Sequence, residues 1–252
     1  MAKSKKVAEY GDFQTPTGLA HKVCTLLAKT GLQPASLLEP TCGLGNFLFA
    51  GLDQFQGVQA AIGAEINPYH VEQAETTLRH RGKDDRVRLV EADFFVTDWK
   101  TVIRELPRPT LVLGNLPWVT NAHLGTLKSQ NLPVKSNFQN HNGFDAITGK
   151  SNFDISEWML IRLMEAMDGE RGDLAILCKS AVARKVLCHA WKNGIALDRS
   201  DVYRIDAERH FDAAVDAALL VAHFEPGDRG SKATVYRDLA DERPESVFGY
   251  QD

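Results

Sequence analysis

Short aliphatic runs alternate along the chain with longer segments whose apolar residues recur every three or four positions. The runs predict strands at Ser36–Glu39, Ala61–Glu65, Val87–Ala92, Leu111–Gly114, Asp173–Cys178, Val202–Ile205 and Ala217–Phe224. Several are nearly continuous in aliphatic residues, as expected for strands covered on both faces. Between them, Leu19, Ala20, Val23, Leu26 and Leu27 form a helical stripe over Thr17–Lys29, which Gly31 ends. Pro68 suits the first turn of a helix reaching Arg81. Asn152 or Asp154 caps a helix to about Met167, with Ile155, Trp158, Met159 and Leu163 inward, and a further helix spans Ser180–Lys192. This alternation predicts an α/β fold with a mostly parallel seven-stranded sheet and helices on both faces. Residues 119–152 break it with a long loop rich in Asn, Ser, Gly and Lys. Loops of that length in a compact domain are usually functional or disordered, and its position marks this one as functional.

The chain has 252 residues, enough for one α/β domain of ordinary size. No apolar run approaches the roughly 18–20 residues of a membrane span. The basic N-terminus has no apolar core behind it and does not read as a secretory signal. Cys24, Cys42, Cys178 and Cys188 show no close pairing and no metal-ligand spacing, so no metal is expected and reduced cytoplasmic thiols are the simplest reading. A net charge of −4 excludes a protein that is basic all over, but leaves room for a local basic face. Lys3, Lys5 and Lys6 stand against Glu9, and Lys128, Lys135 and Lys150 against Asp145 alone, while the tail after Phe224 is acid-rich.

Four motifs carry chemistry, each at the end of a predicted strand. In Leu37-Leu38-Glu39-Pro40-Thr41-Cys42-Gly43-Leu44-Gly45-Asn46-Phe47-Leu48 a strand runs through a glycine loop into a helix. Gly43 and Gly45 let the backbone approach a ligand, and the helix start offers free N–H groups. The plain alternative is a tight turn with no ligand. The third glycine of a dinucleotide fingerprint is missing. Glu65, twenty positions past Gly45, can accept from both hydroxyls of a ribose. Asp93 can accept from the amine of a ligand adenine, with Phe94 or Ile66 packed on its ring. These three suit an adenosine-type ligand without separating S-adenosylmethionine from NAD.

The fourth motif, Asn115-Leu116-Pro117-Trp118, decides the class. Methyl transfer to an amine is an in-line displacement, and the protein mainly has to position the amine. The Asn115 side-chain oxygen and the Leu116 carbonyl are two acceptors for the amine hydrogens. Pro117 stiffens the turn. Trp118 offers a flat face for stacking, worth roughly 1–3 kcal/mol per base in comparable sites. An ordinary strand-to-loop turn with a half-buried tryptophan is the alternative.

Together these residues resemble the DNA adenine-N6 methyltransferases of restriction–modification systems, in the class with the cofactor motif first, the catalytic motif second and a target-recognition domain last. The resemblance covers nearly the whole chain. It implies a Rossmann-like S-adenosylmethionine-dependent methyltransferase fold, S-adenosylmethionine as cofactor and double-stranded DNA as partner, in the cytoplasm of a prokaryotic cell and away from membranes. Gly11-Asp12-Phe13-Gln14-Thr15-Pro16 is similar to the N-terminal cofactor motif, with Phe13, Thr15 and Pro16 near the methionine carboxylate. Glu39, Thr41, Gly43 and Gly45 match the loop that holds the methionine part, Glu65 and Ile66 the ribose-side motif, and Asp93 and Phe94 the adenine end. Asn115 to Trp118 matches the Asn-Pro-Pro-aromatic signature, with Leu116 where proline is usual. His210-Phe211-Asp212-Ala213-Ala214-Val215 resembles the late motif whose phenylalanine packs on a flipped base, which makes Trp118 and Phe211 its two aromatic walls. Lys128, Lys135 and Lys150, in the loop over the active site, are expected on phosphates, with a solvated loop as the alternative.

The resemblance divides the chain into a catalytic domain over residues 1–224 and a short tail, 225–252, read as the start of a target-recognition region otherwise in further sequence or another chain. Three readings compete with the DNA enzyme. The same tetrapeptide serves methylation of amino groups in RNA or of a glutamine amide in release factors. The glycine loop serves oxidoreductases, which the missing glycine and Asn115–Trp118 disfavour. A methyltransferase fold can also act as a binding module, or as a cofactor-binding fragment of little activity.

Overall fold

In the computed structural model, residues 14–82, 84–118 and 154–250 are described. β1 (Ser36–Glu39) lies between β2 (Ala60–Glu65) and β4 (Thr110–Asn115), parallel to both. β3 (Val87–Glu91) extends the sheet beyond β2, and β5 (Gly172–Lys179) extends it beyond β4. β7 (Asp216–Phe224) runs antiparallel between β5 and β6 (Arg199–Asp206). Seven strands anticipated from the pattern are therefore present, in a mostly parallel sheet.

Side chains along the central strands alternate between two apolar layers. Leu37, Leu111, Leu113, Ala175 and Leu177 join the layer of α1 (Thr17–Lys29) and α2 (Asn46–Gln54), which includes Leu19, Val23, Leu27 and Phe47. Leu38, Val112, Leu174 and Ile176 join the opposite layer. That layer is built by α4 (Trp99–Glu105), α5 (Ile155–Met167) and α6 (Ser180–Lys192). Each fully buried leucine contributes roughly 1.5–3 kcal/mol through removal from water. α3 (Pro68–His80) starts with Pro68 behind Asn67, whose side chain accepts from Tyr69 N. Asp98 caps α4 and Asp154 caps α5 in the same way, the usual service of a short polar side chain at a helix start.

The sheet has nine strands rather than seven. β8 (Lys232–Tyr236) pairs parallel with β6, and β9 (Ser246–Gly249) pairs antiparallel with β8. Both lie in the stretch read as an acid-rich tail. Only Ala233 and Val235 of β8 are buried, so its apolar signal is two residues long. β9 is an edge strand with little buried surface; its Phe248 ring lies 5.8 Å from Trp191 and 4.8 Å from the Arg184 guanidinium. The short α4 and α7 (Ala207–Phe211) also escaped the periodicity, because neither spans two full turns.

The order β3-β2-β1-β4-β5-β7-β6-β8-β9 reverses direction between β1 and β4. Open α/β sheets bind ligands at such a switch point, outside the carboxyl ends of the strands. Glu39, Glu65 and Asn115 end β1, β2 and β4, and Asp93 lies two residues past β3, so all fall on that edge.

Candidate functional site

The glycine loop begins where β1 stops. Gly43 (φ 50°) and Gly45 (φ 80°) both take the left-handed conformation, which other residues adopt only at a penalty. A Cβ would also meet neighbouring side chains at both positions. A Cβ on Gly43 would lie 2.5 Å from Gln14 Oε1, and one on Gly45 would lie 2.8 Å from the Phe49 ring. Cys42 N donates to Ala64 O (2.8 Å), which fastens the loop to β2, and Gly45 N donates to Cys42 O (2.7 Å). Burial, with the nearby carboxyls of Glu39 and Glu65, pushes the Cys42 thiol well above the thiol range, so it packs as a small apolar side chain.

Two acids brace this segment, Glu39 at the first turn of α2 and Glu65 at Gly43. Glu39 is only 3% exposed, and its Oε2 accepts from Leu48 N in α2 (2.9 Å). Burial pushes its carboxyl well above the usual range and the charge of Glu65 adds to this, against the Leu48 N–H bond. Burial thus shifts Glu39 toward its neutral form, and the side chain fastens β1 to α2 from inside. Glu65 is held differently: Oε2 accepts from Gly43 N and Oε1 from Asn67 N, each at 2.9 Å. A carboxylate has further lone pairs for hydroxyl donors.

Next to Glu65, Ile66 is 48% exposed. It, Tyr69 and Val96 are three of the five large exposed hydrophobics among the described residues, and all follow β2 or β3. Asp93 makes the turn after β3, with Oδ1 accepting from Phe95 N (2.9 Å) and its carbonyl from Thr97 N (3.1 Å) and Thr97 Oγ1 (2.7 Å). The Phe94 ring points inward. It packs 5.0 Å from the Trp99 ring, and its carbonyl accepts from Trp99 Nε1 (3.0 Å). Of the two apolar residues expected on a ligand ring, Ile66 is therefore the surface one.

The tetrapeptide leaves β4 at Gly114 (φ 151°), where a Cβ would stand 3.4 Å from Glu39 Cγ. Thr41 Oγ1 donates to the Asn115 carbonyl (3.3 Å), joining glycine loop and tetrapeptide. Leu116 is 1% exposed and shares a core layer with Ile155 and Met159 of α5. Pro117 is half-buried. Trp118 is buried and donates from Nε1 to Leu177 O (3.5 Å). Its ring meets Phe211 edge to face, with centroids 5.0 Å apart. Two aromatic residues far apart in sequence thus converge beside the tetrapeptide. A flat ring between them needs about 7 Å, two van der Waals contacts, so at 5.0 Å the two rings pack on each other.

The N-terminal motif reaches the same place. Thr15 is buried and its carbonyl accepts from Asn46 Nδ2 (2.8 Å); Leu44 N donates to Gln14 Oε1 (3.3 Å). Pro16 precedes α1 at the surface. Phe13, Lys128, Lys135 and Lys150, with the whole 119–152 loop, lie outside the described residues. One pair on the same edge was invisible in sequence. Lys179, ending β5, binds Asp154 Oδ2 (2.6 Å), while Asp154 Oδ1 takes Ser156 N and Oγ. Helix-start chemistry marks Asp154, but nothing local marks a partner 25 residues away. Among the described residues no cluster of His, Cys, Asp or Glu is placed to hold a metal ion, and no helix is long and apolar enough to cross a membrane.

No protein-family model matches the chain. Over 221 residues, 88% of its length, it is 45% identical to the type II methyltransferase M.NspV of Nostoc sp., and it covers 46% of that protein. The chain therefore spans about half the length of this relative. The type I restriction–modification system methyltransferase subunit of Streptococcus thermophilus superposes with a TM-score of 0.57 at 19% identity, over 88% of this chain and 47% of that one. A structure from Listeria monocytogenes, described as a class I S-adenosylmethionine-dependent methyltransferase, gives 0.57 at 15% identity, over 90% and 67%. The fold is that of the class I S-adenosylmethionine-dependent methyltransferases, and the resemblance to restriction–modification methyltransferases is borne out.

Proposed function

We propose that this chain is the methyl-transferring part of a type II DNA methyltransferase, moving a methyl group from S-adenosylmethionine to N6 of adenine in double-stranded DNA. The observation that carries this reading is the Thr41–Asn115 hydrogen bond at the switch point, which makes the glycine loop and the tetrapeptide one unit. A donor bound on the first is then held in fixed register with an acceptor bound on the second. The residues present suit the cofactor. The glycine loop carries no side chain of its own at Gly43 and Gly45, Glu65 sits at its rim as the acceptor for ribose hydroxyls, and Ile66 and Asp93 follow for the adenine ring and its amine. Thr15, whose carbonyl is tied to Asn46 Nδ2 beside the loop, and Pro16 are read as bordering the methionine end.

The cofactor supplies a methyl group on a sulfonium, whose leaving group needs no acid. What remains for the protein is to orient an amine. The Asn115 side-chain oxygen and the Leu116 carbonyl accept its two hydrogens and aim its lone pair at the methyl carbon. Such orientation can contribute up to about 7–11 kcal/mol of a barrier. Trp118 and Phe211 separate to admit a base flipped out of the duplex. Lys128, Lys135 and Lys150 contact backbone phosphates in this reading. Choice of the target sequence belongs to a recognition unit outside the catalytic fold, and the setting is a prokaryotic cytoplasm.

Transfer of tritiated methyl from S-adenosylmethionine to DNA, RNA and protein, each offered separately, tests the substrate class. Label in double-stranded DNA alone is expected. Label in RNA or in protein glutamine would replace this reading with one of its competitors.

A further inference from the structure

Three successive N–H groups of the glycine loop have different partners. Gly43 N donates to Glu65 and Gly45 N to the Cys42 carbonyl, both parts of the framework. Leu44 N, between them, donates to a side chain, Oε1 of Gln14, over a long 3.3 Å. Loops with left-handed residues at such spacing form concavities whose N–H groups suit anions. The same Gln14 amide fills the space that glycine opens, since its Oε1 and Nε2 lie 2.5 and 2.7 Å from a Cβ built on Gly43. The adjoining main chain is fixed, because Thr15 is buried and its carbonyl is held by Asn46 Nδ2. Clearing the loop then takes a rotation of the Gln14 side chain with the main chain at Thr15 kept in place.

We propose that the Gln14 amide is a placeholder for the carboxylate at the amino-acid end of the cofactor, competing with it for the Leu44 N–H and withdrawing when that carboxylate takes it. This rests on the reading of S-adenosylmethionine as the ligand. Gln14 is then a positioning residue that competes with one end of the ligand and ignores the other. A neutral amide suits this role, because its oxygen satisfies the N–H while a charged acceptor makes the stronger bond and displaces it.

The test is equilibrium calorimetry of the full chain with S-adenosylhomocysteine and with 5′-methylthioadenosine, which lacks the amino-acid end. Gln14→Ala removes the competitor, so S-adenosylhomocysteine is expected to bind about twofold to tenfold more tightly, the worth of one neutral hydrogen bond. Gln14→Glu puts a charge on Leu44 N–H and is expected to weaken the same ligand about tenfold or more. Neither variant is expected to change 5′-methylthioadenosine binding. Weaker S-adenosylhomocysteine binding by Gln14→Ala would overturn the proposal, showing the amide to be a direct ligand. Equal shifts for both ligands, or none for either, would overturn it too. If the unaltered chain binds neither nucleoside, the cofactor reading itself is wrong, a result that no Gln14 variant produces.

Discussion

The hydroxyl of Thr41 donates to the main-chain carbonyl of Asn115 across 3.3 Å, from the loop after β1 to the end of β4. It adds a direct link between the glycine loop and the tetrapeptide to the pairing of β1 with β4. Thr41→Val keeps the shape and removes the donor. The expected outcome is a kcat reduced about twofold to tenfold, the scale of one hydrogen bond, with nearly unchanged cofactor affinity. Thr41→Ser should restore most of it. Steady-state kinetics beside calorimetry checks the split, and equal losses in both would show that Thr41 serves only the cofactor.

Leu116 stands where the resembling enzymes usually carry proline, and burial explains how leucine serves. At 1% exposure its side chain is buried in the core layer that also holds Ile155 and Met159, so burial supplies the rigidity of a ring. Leu116→Ala leaves the backbone acceptor in place and empties a core site. A loss of about 2–5 kcal/mol in unfolding free energy is expected by denaturant titration. A loss under about 1 kcal/mol would mean that the tetrapeptide is not anchored from below.

Glu39 and Glu65 are both acids at strand ends, but their environments give them different duties. Glu39 has a raised folded-state pKa, so its contribution is complete below the unfolded value of 4.5 and is lost as pH rises through the higher folded value. Glu39→Gln removes that loss and keeps a carbonyl oxygen for Leu48 N. The variant should be more stable than the unaltered chain at neutral and alkaline pH, as thermal melts across pH would show. Glu39→Ala should instead cost about 1–3 kcal/mol for the Leu48 N–H left unpaired.

At the far end of the sheet, His223 Nδ1 lies 2.6 Å from Asp173 Oδ1, and Nε2 lies 3.8 Å from Asp201 Oδ2. Burial alone would lower the imidazole, but the two carboxylates outweigh it and raise it above 6.5. A raised histidine stabilises fully below its unfolded value and less as pH rises through its folded one. Stability should therefore decline from about pH 6.5 upward through this residue, and His223→Gln should flatten that slope in melts across pH. An unchanged slope would show that the cluster does not titrate on unfolding.

Much of the fold was legible because the central strands are aliphatic on both faces and end in chemically marked residues. Leu37-Leu38 before Glu39, and Leu111 to Leu113 before Asn115, read as buried strands at once. β8 and β9 were not legible, since β8 buries only Ala233 and Val235 and β9 pairs at the sheet edge through its backbone. In the site, the types and order of the residues were readable but their directions were not. Phe94 turns inward because Trp99 offers it a ring and an N–H donor, which no spacing rule reveals. The resemblance paired Trp118 with Phe211, but the packing of the two rings on each other, and the contact of Gln14 with Leu44, depend on long-range closure of the chain.

The central claim is that Asn115 holds adenine N6 toward the methyl donor. It is tested by mass spectrometry of nucleosides from double-stranded DNA incubated with S-adenosylmethionine and either the unaltered chain or Asn115→Ala, with S-adenosylhomocysteine binding measured on both. N6-methyldeoxyadenosine is expected with the unaltered chain, falling at least about a hundredfold in the variant, the scale for loss of one preorganised polar group in a transition state. Binding of S-adenosylhomocysteine should stay within about twofold. Methyl groups on cytosine instead of adenine, or full activity in the variant, would contradict it.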